Sequence, residues 1–335
     1  MAFSDADFIA LLGQNEMALD TDDLVHLNLT VAQGIPALAG LDIGHYCRVV
    51  DGWTEQFTRW LPDVERQFHR APSRFKDDIR FFRLGMLAVF MGLELGLDYI
   101  EEQKSAKSIR YRNPSDLFLN GLIDTRRGTC ASLPTLHVAM SRRLGWPVSL
   151  ACAAGHIFSR FDDGRTHWNI DPARVEPGMF FEDSDEGFMR RYNLPPKAIS
   201  CGSDLRSLTG REMLGLFLSL RARYFADNDE TESAETSYCL ARALFPRHRA
   251  TYIAARHQTL TRGKWLFETG ELGHPHSLYE MLAQTYAPVE MRMVGAANAP
   301  QATVPVFQFV SVSQTAHRSR PSSTVAFSEA TINGD

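Results

Sequence analysis

The sequence predicts an α+β fold: a helix plus a small antiparallel sheet, flanked by N-terminal and C-terminal helical segments. Three observations point to it. Residues 1–110, and the chain again from Thr209, carry apolar residues at the three- and four-residue spacing of helices. The stretch from Ile157 to Ile170 reads instead as two short strands joined by Asp162-Asp163-Gly164-Arg165, and Asp-Gly between strands is the strongest short hairpin signal. Just before the hairpin, a helix ends near Gly145-Trp146-Pro147, with glycine after the last helical residue and proline beyond it.

Taken in order, Ser4 is placed to cap a first helix, and Trp53 to Trp60 repeats its aromatic residues at helical spacing. Residues 77–103 form the longest helix expected, and Pro36, Pro62, Pro72 and Pro114 punctuate this part. A helix at 114–125 leads through Arg126-Arg127-Gly128-Thr129 to Cys130 and the next helix. If that helix began at Cys130, the ring of Pro134 would clash with the Cys130 carbonyl, so a start near Ser132 is less strained. Val148 to Ala153 is a strand, and residues 172–204, rich in Pro, Gly and Asp, are expected as a loop-dominated cover. Thr209-Gly210-Arg211-Glu212 is a capping box that opens a helix to about Ala226. Helices from about Glu232 to Leu244 and from about His248 to Arg262 follow, packed as in tetratricopeptide repeats. From Asn298 onward the composition is that of a disordered tail. The expected division is therefore a helical region at 1–110, a core at 111–205, a tetratricopeptide-like helical region at 206–290 and a tail at 291–335.

Composition narrows the function. With 44% hydrophobic and 22% charged residues over 335 positions, the chain is an ordinary soluble protein with room for about two domains. A formal charge of −5 argues against nucleic-acid binding through phosphate neutralisation. The pairs Arg126-Arg127 and Arg142-Arg143 read as solvated helix faces. Five cysteines (Cys47, Cys130, Cys152, Cys201 and Cys239), without a C-x-x-C, oppose a disulfide framework or a zinc site. No histidine pair at helical spacing with a carboxylate partner suggests a metal, and no cofactor is expected. The N-terminus lacks a basic and apolar leader, and the most apolar run, Leu84 to Ile100, contains Glu94 and Asp98 and reads as a buried helix. The expectation is a cytoplasmic protein with no membrane partner.

The hairpin places the chemistry. A type I′ turn at Asp163-Gly164 sets His156 directly opposite Asp171, with Cβ atoms roughly 5 Å apart on one face. Ile157, Trp168 and Ile170 take the other face, while Arg160, His167 and Asn169 join His156 and Asp171. Cys130 lies where Gly128 and Thr129 turn the chain into a helix. A thiol next to an imidazolium becomes a nucleophile, the histidine handles the proton, and the aspartate fixes the imidazole tautomer. The expected reaction is acyl transfer through a thioester. His167 is expected as an exposed strand residue, Asn169 as a surface or substrate-binding residue, and Cys152, Trp146 and Trp168 as packing.

Gly128-Thr129-Cys130, the helix ending Arg142-Arg143-Leu144-Gly145-Trp146-Pro147, Gly155-His156 and Trp168-Asn169-Ile170-Asp171-Pro172 together resemble the transglutaminase-like core. The resemblance implies a papain-like α+β arrangement with Cys130 as nucleophile, His156 as base and Asp171 as orienter, in a superfamily of transglutaminases, peptidases and amidases. Arg112-Asn113-Pro114, Phe118-Leu119-Asn120 and Arg126-Arg127-Gly128 are similar to a bacterial branch that joins this core to C-terminal tetratricopeptide helices. Met213 to Phe217, Tyr224, and Ala241 to Pro246 match those helices. In that branch the position of Cys130 often holds another residue, and Cys130 restores the superfamily's nucleophile. Three functions follow. One is thiol-dependent acyl transfer or hydrolysis on amide bonds of peptide or glutamine-like substrates. Another is a non-catalytic module that binds a protein partner through its C-terminal helices, and the third is a structural role in a larger assembly.

Overall fold

A computed structural model of the chain describes residue 19 and residues 23–104, 110–153, 156–172, 181–200 and 202–248. The expectations for Ser4, for Cys201, for a helix running from His248 to Arg262 and for the tail lie outside those residues.

The architecture is α+β. Among the described residues, helices α1 (Leu24–Gln33), α2 (Ile43–Arg70) and α3 (Ile79–Leu93) make up the N-terminal part. A two-residue strand β1 (Asp98–Tyr99), helix α4 (Leu119–Thr125) and strand β2 (Arg127–Gly128) lead into the central helix α5 (Ser132–Arg143). An antiparallel sheet follows in the order β3 (Val148–Ala153), β4 (His156–Asp162), β5 (His167–Asp171) and β6 (Phe181–Asp183). Two short helices, α6 (Asp185–Arg191) and α7 (Pro196–Ser200), precede the C-terminal pair α8 (Gly210–Asp227) and α9 (Thr231–Leu244). No described helix is long and apolar enough to cross a membrane.

The longest described helix is α2, not the stretch at 77–103, and Pro62 sits inside it. Pro62 and the residue one turn earlier, Thr58, are both exposed, so the carbonyl that loses its N–H partner can be hydrated. The buried face of Trp53, Phe57, Val64 and Phe68 outweighs that lost bond. Across it, Phe90 of α3 meets Phe57 edge-on at 5.3 Å and Trp146 meets Phe57 at 6.0 Å between ring centroids. Helix α3 stops at Leu93 because Gly96, at φ +65°, turns the chain toward a parallel pairing with β2. In that pairing Asp98 lies beside Arg127 and Tyr99 beside Gly128, and an Asp98–Arg127 ion pair of 2.6 Å closes it. The pairing is tertiary and leaves no local periodicity to read.

The loop-dominated cover contains β6, α6 and α7 among its described residues. Ser184 caps α6 by accepting from the Gly187 N–H, a start signal that the surrounding glycines and aspartates mask. Helix α8 opens on the capping box of Thr209 and Glu212 as expected. Its neighbour α9 ends at Leu244. One continuous core holds Leu27 and Val31 of α1, Phe57, Phe90, Leu136, Leu150, Phe217 and Tyr238, so flanking helices, central helix and sheet share one apolar interior.

Gly121 fixes how α4 approaches the preceding turn. A Cβ there would lie 2.0 Å from the Ser115 carbonyl oxygen. Gly121→Ala is expected to cost about 1–3 kcal/mol, the usual penalty of overpacking, read as a lower urea midpoint. An unchanged midpoint would show that this turn yields freely.

Candidate active site

The site is built on the hairpin of β4 and β5, in a different register from that expected. Ser159 pairs with Ile170, Arg160 with Asn169, Phe161 with Trp168 and Asp162 with His167. The loop is four residues, 163–166, rather than a two-residue type I′ turn. Type I′ needs positive φ at both central residues, whereas Gly164 (φ +80°) has it and Asp163 does not. The Asp163 carboxylate instead accepts from the N–H groups of Arg165 (2.9 Å) and Thr166 (2.7 Å), which stabilises the wider loop. The shift is two residues, an even number, so every side chain keeps its face. Asp171 moves from opposite His156 to the diagonal position, and its side chain spans the difference. Asp171 Oδ2 lies 2.8 Å from His156 Nε2.

Both partners are buried, Asp171 at 0% exposure and His156 at 8%. Burial opposes a charged imidazole, but the Asp171 carboxylate and the neighbouring Cys130 outweigh it and push His156 up to about 9. The Tyr192 ring, just past α6, stacks on the imidazole with centroids 5.2 Å apart and planes 18° apart. Phe188 of α6 supports that ring at 5.7 Å. This sandwich holds the histidine plane that Asp171 orients from its edge.

Cys130 is 4% exposed and neighbours the His156 ring. Helix α5 starts at Ser132, not at Cys130, with Pro134 in its first turn. The cysteine therefore sits just before the N-cap Ala131, where the helix dipole acts more weakly than at a true first turn. Its loop is held by hydroxyls. The Thr129 N–H donates to Ser132 Oγ (3.0 Å), the Ala131 N–H donates to Thr129 Oγ1 (3.1 Å), and that hydroxyl donates to the Asp116 carbonyl (3.1 Å). Gly128 admits the loop, because a Cβ there would lie 2.7 Å from Leu122 and 2.8 Å from Ser132 Oγ.

Other expected residues find different roles. Asn169 is buried rather than at the surface. Its amide donates to Asp185 Oδ1 (2.8 Å) and to the Asp183 carbonyl, and it accepts from Arg160 (2.6 Å). Arg160, 5% exposed, also donates to Asp185 at 2.7 Å, so this network fastens α6 to the sheet. His167 is exposed and lies 3.2 Å from Asp185. Cys152 and Trp168 are core residues, and Trp146 packs against the core. Arg143 is half-buried, not solvated, and pairs with Asp23 and Asp51. Sequence reasoning missed Tyr192, which lay in the presumed loop, and Tyr99, which lay in the presumed long helix. Tyr99 and Tyr111 both flank Cys130.

An open cavity of about 830 Å³ lies at the far end of α5, among Arg142, Arg143, Trp146 and Leu208. Cys130, His156 and Asp171 do not line it. The void of about 10 Å³ beside Tyr99, Leu133 and Pro172 is too small for more than a single water. Among the described residues no group of three or more His, Cys, Asp or Glu side chains is arranged to hold a metal ion.

Residues 76–213, which contain α5, the sheet and Cys130, His156 and Asp171, match the family model of the transglutaminase-like superfamily. No curated protein and no solved structure gave a match to the chain.

The elevated His156 value makes its charged form stabilising. That contribution is fully present below 6.5, the ordinary imidazole value, and is lost as pH rises through about 9. In Asp171→Asn the strongest influence that offsets burial is lost, so His156 is expected to titrate well below 9. Imidazole resonances followed by NMR from pH 5 to 10 check this, and a His156 titration left near 9 in the variant would refute it.

Proposed function

We propose that the chain catalyses thiol-dependent acyl transfer or hydrolysis on amide bonds, in a peptide or in a glutamine-like group, through Cys130, His156 and Asp171. The observation that carries this reading is the buried carboxylate–imidazole contact, 2.8 Å between Asp171 and His156, with Cys130 as a neighbour of the ring. The match of residues 76–213 to a superfamily that shares this chemistry supports it.

In the proposed cycle the reactive pair carries its proton on His156, and the Cys130 sulfur, as thiolate, attacks the amide carbon. A C–S bond forms as the carbonyl π pair moves to oxygen. Collapse breaks the C–N bond, and the leaving nitrogen takes the proton from the imidazolium. Water or a second amine then gives a proton to His156 and attacks the thioester, and the thiolate leaves. Asp171 stabilises the imidazolium throughout and stays ionised. The unpaired thiols Cys47, Cys130, Cys152 and Cys239 fit a reducing, cytoplasmic setting.

One observation favours the second reading, a non-catalytic binding module that holds a protein partner through its C-terminal helices. Cys130 is only 4% exposed, and the 830 Å³ cavity lies elsewhere. The two readings separate on reactivity. Under the first, iodoacetamide labels Cys130 of the native protein faster than the exposed Cys239, as mapped by mass spectrometry. Slower labelling of Cys130 than of Cys239 would favour the binding module.

Cys130→Ala and His156→Ala are expected to abolish amide or ester turnover. Asp171→Asn is expected to keep a remnant, lowered by about 10⁴-fold, as for other triads that lose the orienting carboxylate. Turnover in the wild type should fall as pH rises through about 9, because the imidazolium that protonates the leaving group is lost there. Activity retained in Cys130→Ala would overturn the mechanism.

A further inference from the structure

The triad accounts for nucleophile and proton carrier but leaves the substrate oxygen with one donor, the backbone N–H of Cys130. Tyr99 is brought to that N–H by the parallel pairing of β1 with β2. Its partner in the register is Gly128, two residues before the nucleophile. The Ile100 N–H donates to the Gly128 carbonyl (2.9 Å), and the Asp98 N–H to the Arg126 carbonyl (3.0 Å), so the two strands move as one piece. The Tyr99 phenol neighbours both the Cys130 side chain and the Cys130 backbone N–H. Tyr111 also neighbours Cys130.

We propose that Tyr99 is the second oxyanion donor, its hydroxyl joining the Cys130 N–H on the oxygen of the tetrahedral intermediate. The inference rests on the acyl-transfer reading above. Before attack, the phenol stands beside the Cys130 N–H and sulfur. As the C–S bond forms, negative charge leaves sulfur for the carbonyl oxygen, which enters beside the same N–H. The phenol then turns its O–H to that oxygen, following the charge without giving up its proton. Burial and the neighbouring Cys130 and Tyr111 hold the Tyr99 phenol well above the ordinary tyrosine range, so it remains a donor. Preorganised donors of this kind contribute because they are already oriented when charge develops.

Two reagents separate this role from a general effect on the thiol. Iodoacetamide alkylates sulfur by displacement and generates no oxyanion. p-Nitrophenyl acetate acylates sulfur through a tetrahedral intermediate, and its phenolate needs no proton to leave. Both rates are measured at Cys130 by mass spectrometry in the wild type and in Tyr99→Phe, with Cys130→Ala as background. The ratio of acylation to alkylation is expected to fall about 100-fold in Tyr99→Phe, the loss typical of one oxyanion donor. Circular dichroism and the urea midpoint establish that the variant is folded. If it is not, Tyr99→His, which retains a donor, is expected to preserve the ratio, and a 100-fold fall there would count against the proposal. A ratio unchanged in folded Tyr99→Phe overturns the proposal while leaving the triad intact. A wild-type Cys130 that reacts with neither reagent overturns the triad reading, and the oxyanion role with it.

Discussion

The structure turns on a carboxylate with no exposure to water. Asp171 is completely buried, and an isolated ionised carboxylate in such a place costs many kilocalories. The charge-matched contact with His156 at 2.8 Å makes that burial tolerable, and it holds the imidazole in its charged form over the neutral pH range. Removing Asp171 takes from His156 the main group that offsets its burial. The pair thus ties together β4 and β5, the orientation of the ring, and the electrostatic field felt by Cys130.

The rest of that sheet face follows the same logic of satisfied burial. Arg160 is buried even more deeply than His156 and is matched by Asn169 and Asp185. Because Asp185 opens α6, this ionic contact is also what brings Phe188 and Tyr192 down onto the sheet, where Tyr192 meets the His156 ring. A buried charge pair at the site and a half-buried one beside it therefore fix the histidine from its edge and from its face. Arrangements of this kind are costly to assemble for stability alone.

The loop of Cys130 is organised differently, by hydroxyl groups and a close approach of backbone rather than by charge. Thr129 and Ser132 satisfy the amides that precede α5, Gly128 lets Leu122 and Ser132 close in, and β1 holds Tyr99 alongside. The site is an assembly of three parts far apart in the chain: a strand pair, a helix entrance and a hairpin. Their mutual positions are set by the core that α5 shares with α2, α3 and the sheet.

Much of this was legible in the residues themselves. Period-two alternation assigned His156, Arg160, Asn169 and Asp171 to one face, and that survived a wrong register because an even slip does not exchange faces. The position of Pro134 pointed to the start of α5 at Ser132, and Thr209 with Glu212 marked α8, because caps and proline sterics act within one turn. What only the tertiary structure decided depends on groups distant in sequence. The loop at 163–166 was set by side-chain hydrogen bonds of Asp163 that Asp-Gly statistics do not weigh. Pro62 was absorbed into α2 because its side of the helix faces water. Asn169 was drawn inward by Arg160 and Asp185, and the presumed helix at 77–103 was cut short by pairing with residues about 30 positions later. Sequence determined which side chains share a face, since that follows from local periodicity. The fold decided which of them touch, since that depends on packing and charge compensation across the whole core.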